Sequence, residues 1–384
     1  MNGNRNIILH NPSKLVFGTG SYNSFVEAIA SSKVQRLFVL TVSDVWDQIY
    51  TGLNDVISSG CRVMVNTDIR QEPSFNDYTQ ILIQVNDFDP DAIVGIGGGS
   101  VLDTAKLLAA SCGSDVDVRD FLAGKKELAR TKQLICLPTT SGTGSEVSPN
   151  AIFFDPENGG KVGVIDPQLV PDAAYIDPAL TVSVPPAVTA STGLDALTHC
   201  IEAYVNRFAN PVNDLLAFEG IKLIGQNLQQ AFLNGNDLEA REKVALGSMY
   251  GGMCLGPVNT GAVHALAYPL GSTYKIAHGI SNAMLLPYVL EYNLDAAVEK
   301  YAAVAKALGV EGKANDKETA SAGIQLIRDM IQDFEIPGRL SELNIKENDI
   351  QDMANSALKI QRLLKNNVRE VKLEDALEIY GNAM

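Results

Sequence analysis

Cysteine and histidine are both scarce in this chain, with five of one and four of the other among 384 residues. The cysteines are Cys61, Cys112, Cys136, Cys200 and Cys254. They are odd in number and scattered, and no Cys-x-x-Cys occurs. That pattern excludes a disulfide scaffold and a cysteine zinc site, and it fits a reducing cytoplasm. No apolar run approaches the ~18 residues that a membrane helix needs. The opening stretch, Met1-Asn2-Gly3-Asn4-Arg5-Asn6, has no apolar signal core. A cytoplasmic location and no membrane partner are therefore expected. Basic residues are short as well: 30 Lys and Arg stand against 45 Asp and Glu, a net charge of −15. Such a surface disfavours nucleic acid and anionic membranes as partners. A local ring of backbone N–H groups could still hold an anionic ligand.

What is present points to a globular enzyme-sized chain. Hydrophobic residues make up 46% and charged residues 20%, enough for a large core. At roughly 150 residues per domain, two or three domains are expected. The first half alternates short apolar runs with amphipathic ones. Strands are expected at Leu37–Thr41, Arg62–Val65, Ala92–Ile96 and Leu134–Leu137. Helices are expected between them, at Val45–Ser58, Tyr78–Phe88 and Val101–Ala110. Continuous apolar strands alternating with helices imply a parallel sheet covered on both faces. Ala151–Ile165 reads as a hairpin turning at Asn158-Gly159-Gly160. Beyond Val184-Pro185-Pro186 the strand signal stops. Helical periodicity covers Ala187–Val205, Asp214–Leu233, Leu238–Cys254, Ala296–Ala307 and Ala320–Asp333. The expected organisation is an α/β domain over 1–184 and an all-helical domain over 185–384. No internal repeat stands out.

Three of the four histidines join one aspartate in a pattern. Asp195 and His199 stand four apart, which puts both on one helix face. His264 and His278 follow later. One carboxylate and three imidazoles suit a divalent first-row metal and leave room for a substrate oxygen. A lone Asp/His pair is more often a satisfied buried or surface pair, so the neighbouring motifs must decide. Two loops follow strand ends. Gly97-Gly98-Gly99-Ser100 opens a helix, where N–H groups and the helix dipole could meet a pyrophosphate. It departs from G-x-G-x-x-G at Ser100, and a tight turn without a ligand is the alternative. The second, Pro138-Thr139-Thr140-Ser141-Gly142-Thr143-Gly144-Ser145-Glu146, concentrates hydroxyls and glycines where open α/β sheets bind ligands. Read alone it is a polar surface loop; together the two loops suggest a shared nucleotide crevice.

These segments, with Gly193-Leu194-Asp195-Ala196-Leu197-x-His199, His264-Ala265-x-Ala267-x-Pro269-Leu270-Gly271 and His278-Gly279-x-x-Asn282-Ala283, resemble the iron-containing (group III) alcohol dehydrogenase family. The match is collinear and spans nearly the whole chain. The resemblance implies an α/β N-terminal Rossmann-like domain with a parallel sheet, an all-helical C-terminal domain, and thus a dehydroquinate-synthase-like architecture. It implies Fe²⁺ on Asp195, His199, His264 and His278, with Zn²⁺, Ni²⁺ or Mn²⁺ as substitutes. It implies NAD or NADP at Gly97, Gly98, Gly99 and Ser100, with Asp103 supporting that loop. Thr139, Thr140 and Thr143 would line the crevice, and Val147, Lys161 and Leu180 match further cofactor positions. The implied reaction is hydride transfer between nicotinamide and an alcohol or carbonyl on the metal. A small alcohol or aldehyde is the expected partner, and a homodimer or larger homo-oligomer the expected assembly.

Two departures from the family pattern matter. Many relatives carry a further histidine four residues after the one matching His264; here that place is Tyr268. A phenol can relay a proton or hydrogen-bond an oxygen, so Tyr268 joins His278 as a candidate catalytic residue. Many NAD-preferring relatives place an aspartate where this chain has Val42. Without that carboxylate a 2′-phosphate is tolerable, unless Asp44 reaches the ribose instead. Two alternatives remain: a zinc glycerol-dehydrogenase-like or dehydroquinate-synthase-like enzyme, and a non-catalytic metal- or nucleotide-binding relative.

Overall fold

The structure is a computed structural model, and it describes residues 6–69, 73–155 and 160–384. Contacts divide it into two units. One is His10–Val184; the other is Pro185–Met384 with the described residues that precede His10.

The first unit runs β1 (Lys14–Phe17), α1 (Ser21–Ala30), β2 (Arg36–Leu40), α2 (Ser43–Ser58), β3 (Arg62–Asn66), α3 (Phe75–Phe88), β4 (Ala92–Gly97), α4 (Gly99–Ser111), α5 (Val118–Leu122), β5 (Gln133–Pro138), β6 (Asn150–Asp155), β7 (Gly160–Ile165) and β8 (Ala173–Ile176). Six strands form one sheet in the order β1-β8-β5-β4-β2-β3, and every pairing in it is parallel. The four strands expected from sequence all lie in it. The sheet is buried on both faces, as side-chain alternation along β2 shows. Leu37 and Val39 pack with Phe25 and Ile49 on one face, while Phe38 and Leu40 pack with Tyr78 and Leu107 on the other. Helix starts follow local chemistry. Ser74 caps α3 by accepting from Asp77 N, and Asp77 accepts back from Ser74 N. The strands β6 and β7 pair antiparallel as the expected hairpin. Its turn residues Asn158 and Gly159 lie outside the described residues.

Strand direction fixes where a ligand can sit. The chain passes from β2 outward to β3, then returns to lay β4 on the other side of β2. The order therefore reverses between β2 and β4, and crevices of this kind, at the carboxyl ends of the strands, are where open sheets bind ligands.

The second unit contains α6 (Pro186–Tyr204), α7 (Pro211–Leu233), α8 (Leu238–Leu255), α9 (Ala262–Tyr274), α10 (His278–Asn293), α11 (Val298–Ala307), α12 (Asp316–Asp333), α13 (Ile350–Ala357), α14 (Gln361–Leu364) and α15 (Leu373–Asn382), with no strand among its described residues. Helices α6, α7 and α8 approach closely because small residues face one another. A Cβ at Gly220 would lie 2.6 Å from Cys200 Sγ. Cys200 is thus a packing residue, and burial pushes its thiol well above its ordinary value, which keeps it inert. Among the described residues no helix is long and apolar enough to cross a membrane.

Candidate metal centre and nucleotide loops

Helix α6 presents Asp195, His199 and Glu202 at spacings of four and three, so all three share one face. All are buried. His264, in the first turn of α9, meets them there. Ligand atoms of Asp195, His199 and His264 all lie within 4.8 Å of one another. The rings of His199 and His264 stack at 4.7 Å, 15° from parallel. His278 is the first residue of α10. Its Nε2 is 3.8 Å from Asp195 Oδ1, and its ring centre is 5.3 Å from that of His264. The side chain is 26% exposed, against 4% for Asp195. Three of the expected ligands therefore form a tight buried group, and His278 stands at its solvent side.

Two residues hold these groups in place. Glu202 Oε2 is 2.6 Å from His264 Nδ1, and Glu202 Oε1 accepts from Val263 N at 2.7 Å. That carboxylate keeps the Nδ1 proton on His264 and leaves Nε2 to act as a ligand. Asn282, one turn after His278, donates to Asp195 Oδ1 at 2.6 Å and lies 3.1 Å from His278 Nε2. The motifs include Asn282 without giving it a role, and they leave out Glu202, which sits three residues after His199 on the same helix.

The donor set fits a divalent cation. His264 Nε2 is buried with no hydrogen bond and sits 3.5 Å from Asp195 Oδ1. Burial alone would raise the Asp195 carboxyl and lower the His264 imidazole. The three histidines around Asp195 instead hold its carboxyl well below the usual carboxylate range. For His264, Glu202 and Asp195 outweigh burial and push the imidazole up to about 9. Two buried carboxylates thus demand positive charge at this point, which a proton or a metal ion can supply.

In the α/β unit the two suspected loops are neighbours. Gly97 pairs with Pro138 across β4 and β5, and Thr139 N donates to Gly97 O at 3.0 Å. A Cβ on Gly98 would come 3.4 Å from Thr140 Oγ1, and one on Gly99 would strike Thr143 Cγ2 at 2.6 Å. Gly98 caps α4, so Gly99 and Ser100 open that helix with their N–H groups at its positive end. Thr139 is buried, while Thr140 and Thr143 are half-buried. Val42, half-buried, lies two residues beyond β2 and caps α2, beside the reversal between β2 and β4; Asp44 lies exposed in the first turn of α2. Asp103 is an anchor: its carboxylate accepts from Ser145 Oγ at 2.5 Å and Ile152 N at 2.9 Å. Buried Lys106 completes the tie, donating to Ser148 O at 2.9 Å and Asn150 O at 2.8 Å. Val147 and Leu180 are buried. Lys161 lies in β7, and its side chain is outside the described residues.

Tyr268 is one turn after His264 on α9, and its hydroxyl accepts from Arg362 Nη2 at 2.5 Å. No local sequence signal links these two.

Comparison with known proteins places the chain in a family. Residues 12–178 match the family described as iron-containing alcohol dehydrogenase, and residues 189–384 match the C-terminal part of the Fe-containing alcohol dehydrogenase family. The long-chain-alcohol dehydrogenase 1 of Geobacillus thermodenitrificans (strain NG80-2) is 37% identical, over 95% of this chain and 94% of its own. A 1,3-propanediol oxidoreductase structure superposes with a TM-score of 0.93 at 31% identity, covering 99% of this chain and all of that one. The sulfoacetaldehyde reductase of Bifidobacterium kashiwanohense, solved in complex with NAD+, superposes at 0.89 with 26% identity, over 99% of each chain. The two family matches span nearly all of the sequence, and this chain belongs to the iron-containing alcohol dehydrogenase family.

Proposed function

We propose that this chain is a metal-dependent, NAD(P)-linked alcohol dehydrogenase or aldehyde reductase that uses Asp195, His199, His264 and His278 as the metal ligands. The observation that carries this reading is the buried convergence of Asp195, His199 and His264, with His264 Nε2 left without a hydrogen bond. Fe²⁺ is the proposed native ion, and Zn²⁺, Ni²⁺ or Mn²⁺ suit the same nitrogen and oxygen donors. When bound, the ion supplies Lewis-acid polarisation of an alcohol or carbonyl oxygen, and nicotinamide supplies or accepts the hydride. The chain supplies the rest. Asn282 fixes Asp195, and Glu202 fixes the tautomer of His264. The N–H groups of Gly99 and Ser100 at the start of α4 suit a pyrophosphate, and Thr140 and Thr143 face Gly98 and Gly99. The Tyr268 hydroxyl accepts from Arg362, which leaves its O–H free to donate toward a reacting oxygen.

Val42 brings no carboxylate to the end of β2, so NADP(H) is proposed to work at least comparably to NAD(H). A cytoplasmic location agrees with five buried free cysteines. A homodimer or larger homo-oligomer is proposed with it, to be read from the elution volume of the purified protein. The activity test is NAD(P)H oxidation by protein stripped of metal and reloaded with Fe²⁺, Zn²⁺, Ni²⁺ or Mn²⁺, across neutral and acidic aldehydes. Metal-dependent turnover is expected. Absence of turnover with both cofactors in every metal form would sink the reading.

A further inference from the structure

We propose that Arg362, held against Tyr268, selects short aldehydes and alcohols that carry an acidic oxyanion, a carboxylate or a sulfonate, at the end away from the reacting carbon. This deepens the dehydrogenase reading and rests on it. Arg362 is half-buried in α14. One arm of its guanidinium donates to the Tyr268 hydroxyl, and the group lies 5.6 Å from the centre of the Tyr268 ring. Neither contact neutralises it, and no ion-pair partner for it occurs among the described residues. Four arginines do have one: Arg36 with Asp89, Arg130 with Asp172, Arg328 with Glu291 and Arg369 with Asp375. A guanidinium offers five N–H donors in a planar fork, so most of its donors remain for an anion. That fork matches an oxyanion bidentately. In a chain of net charge −15 such a local cation is what an anionic substrate would need.

Its position ties it to the metal ligands. Tyr268 follows His264 by four residues, one helical turn of about 5.4 Å. The segment after Arg362 is fastened to the same place. Asn366 Nδ2 donates to Thr260 O at 2.8 Å and to Arg362 O at 3.2 Å. A Cβ on Gly261 would come 3.2 Å from Glu202 Oε1 and 3.5 Å from Asn367 Oδ1. Arg362 thus meets the helix that carries His264 at the residue one turn beyond that ligand. In the reaction the carbonyl carbon gains hydride from NAD(P)H and the carbonyl oxygen gains a proton. NAD(P)⁺ and the hydroxy acid leave, and the oxyanion is unchanged throughout.

The test compares succinate semialdehyde with butanal, which lacks the charge. The ratio of their kcat/KM values should favour the acid in the native enzyme. In Arg362→Met it should fall by about tenfold to a hundredfold, chiefly through KM. Arg362→Lys, which keeps the charge but loses the fork, should recover part of it. Calorimetric binding of 4-hydroxybutyrate, with butan-1-ol as the control, reads the same interaction without turnover. If both substrates lose equally in Arg362→Met, or if 4-hydroxybutyrate binds native and variant protein alike, the assignment is overturned. Absence of turnover with either aldehyde would count against the dehydrogenase reading, while calorimetry would still decide the role of Arg362.

Discussion

Replacing Glu202 by glutamine keeps the size of the side chain and removes its charge. In the native protein one carboxylate serves two donors, His264 Nδ1 at 2.6 Å and Val263 N at 2.7 Å. An amide can accept through its oxygen only, so its NH₂ must confront one of the two N–H groups. A charge-assisted bond of ~1.5–3 kcal/mol gives way to a neutral one of ~0.5–1.5 kcal/mol. The orientation of His264 then becomes looser and its Nε2 a poorer donor. Losses of this kind weaken metal affinity by about 10–100-fold, or ~1.4–2.7 kcal/mol. A second effect opposes the first. Glu202 is also the main group raising the His264 imidazole to about 9, so in native protein a proton competes with the metal below that pH. Glu202→Gln weakens the proton's hold too. The deficit of the variant should therefore be smaller at pH 7 and larger toward pH 9, where native His264 is losing its proton. Zn²⁺ affinity, titrated against a chromophoric chelator at both pH values, measures this, and thermal melting confirms that the variant is folded. Equal affinities of native and variant protein at pH 9 would refute the argument that Glu202 orients a metal ligand.

Two further outcomes follow from the α/β unit. Gly98→Ala meets only Thr140, its Oγ1 at an ordinary 3.4 Å and its Cγ2 at 3.7 Å, so the fold should tolerate it. If the pyrophosphate lies against that loop, the added methyl should weaken NAD(H) binding about tenfold or more in a fluorescence titration; unchanged affinity with unchanged melting would place the cofactor elsewhere. Glu146 is buried, and burial pushes its carboxyl up from 4.5 to about 7. Folded protein then holds a proton that the unfolded chain has released, so stability is fully present below pH 4.5 and falls as pH rises toward 7. Glu146→Gln should remove that slope and stabilise the protein at pH 8 by roughly 3 kcal/mol. Urea denaturation at pH 5 and pH 8 checks it, and parallel pH dependence in both proteins would contradict it.

How far the sequence reveals such a site depends on whether a contact is local. Asp195 and His199 were legible because one helix turn joins them, and the same rule would have added Glu202 from His199. The helices that carry His264 and His278 were not legible as helices. Helix α9 is buried on every side from Ala262 to Gly271 and contains Pro269; α10 contains Pro287. A helix buried all round shows no amphipathic period, and an internal proline reads as a stop. The ligands they bring could be found only through the scarcity of histidine and the resemblance of the motifs. The sheet divides in the same way. Strands β2 to β5 announce themselves as continuous apolar runs, because helices cover both of their faces. Strand β1 is half-exposed, and β8, four residues long, takes its place between β1 and β5. Nothing within four residues specifies two partners so distant. Arg362 is the extreme case, 94 residues from the Tyr268 it touches. Between Lys359 and Lys365 it is one of three basic residues in seven, and nothing local singles it out. The fold alone brings it within reach of the helix that carries His264, so the selectivity proposed for it is what the motifs conceal most.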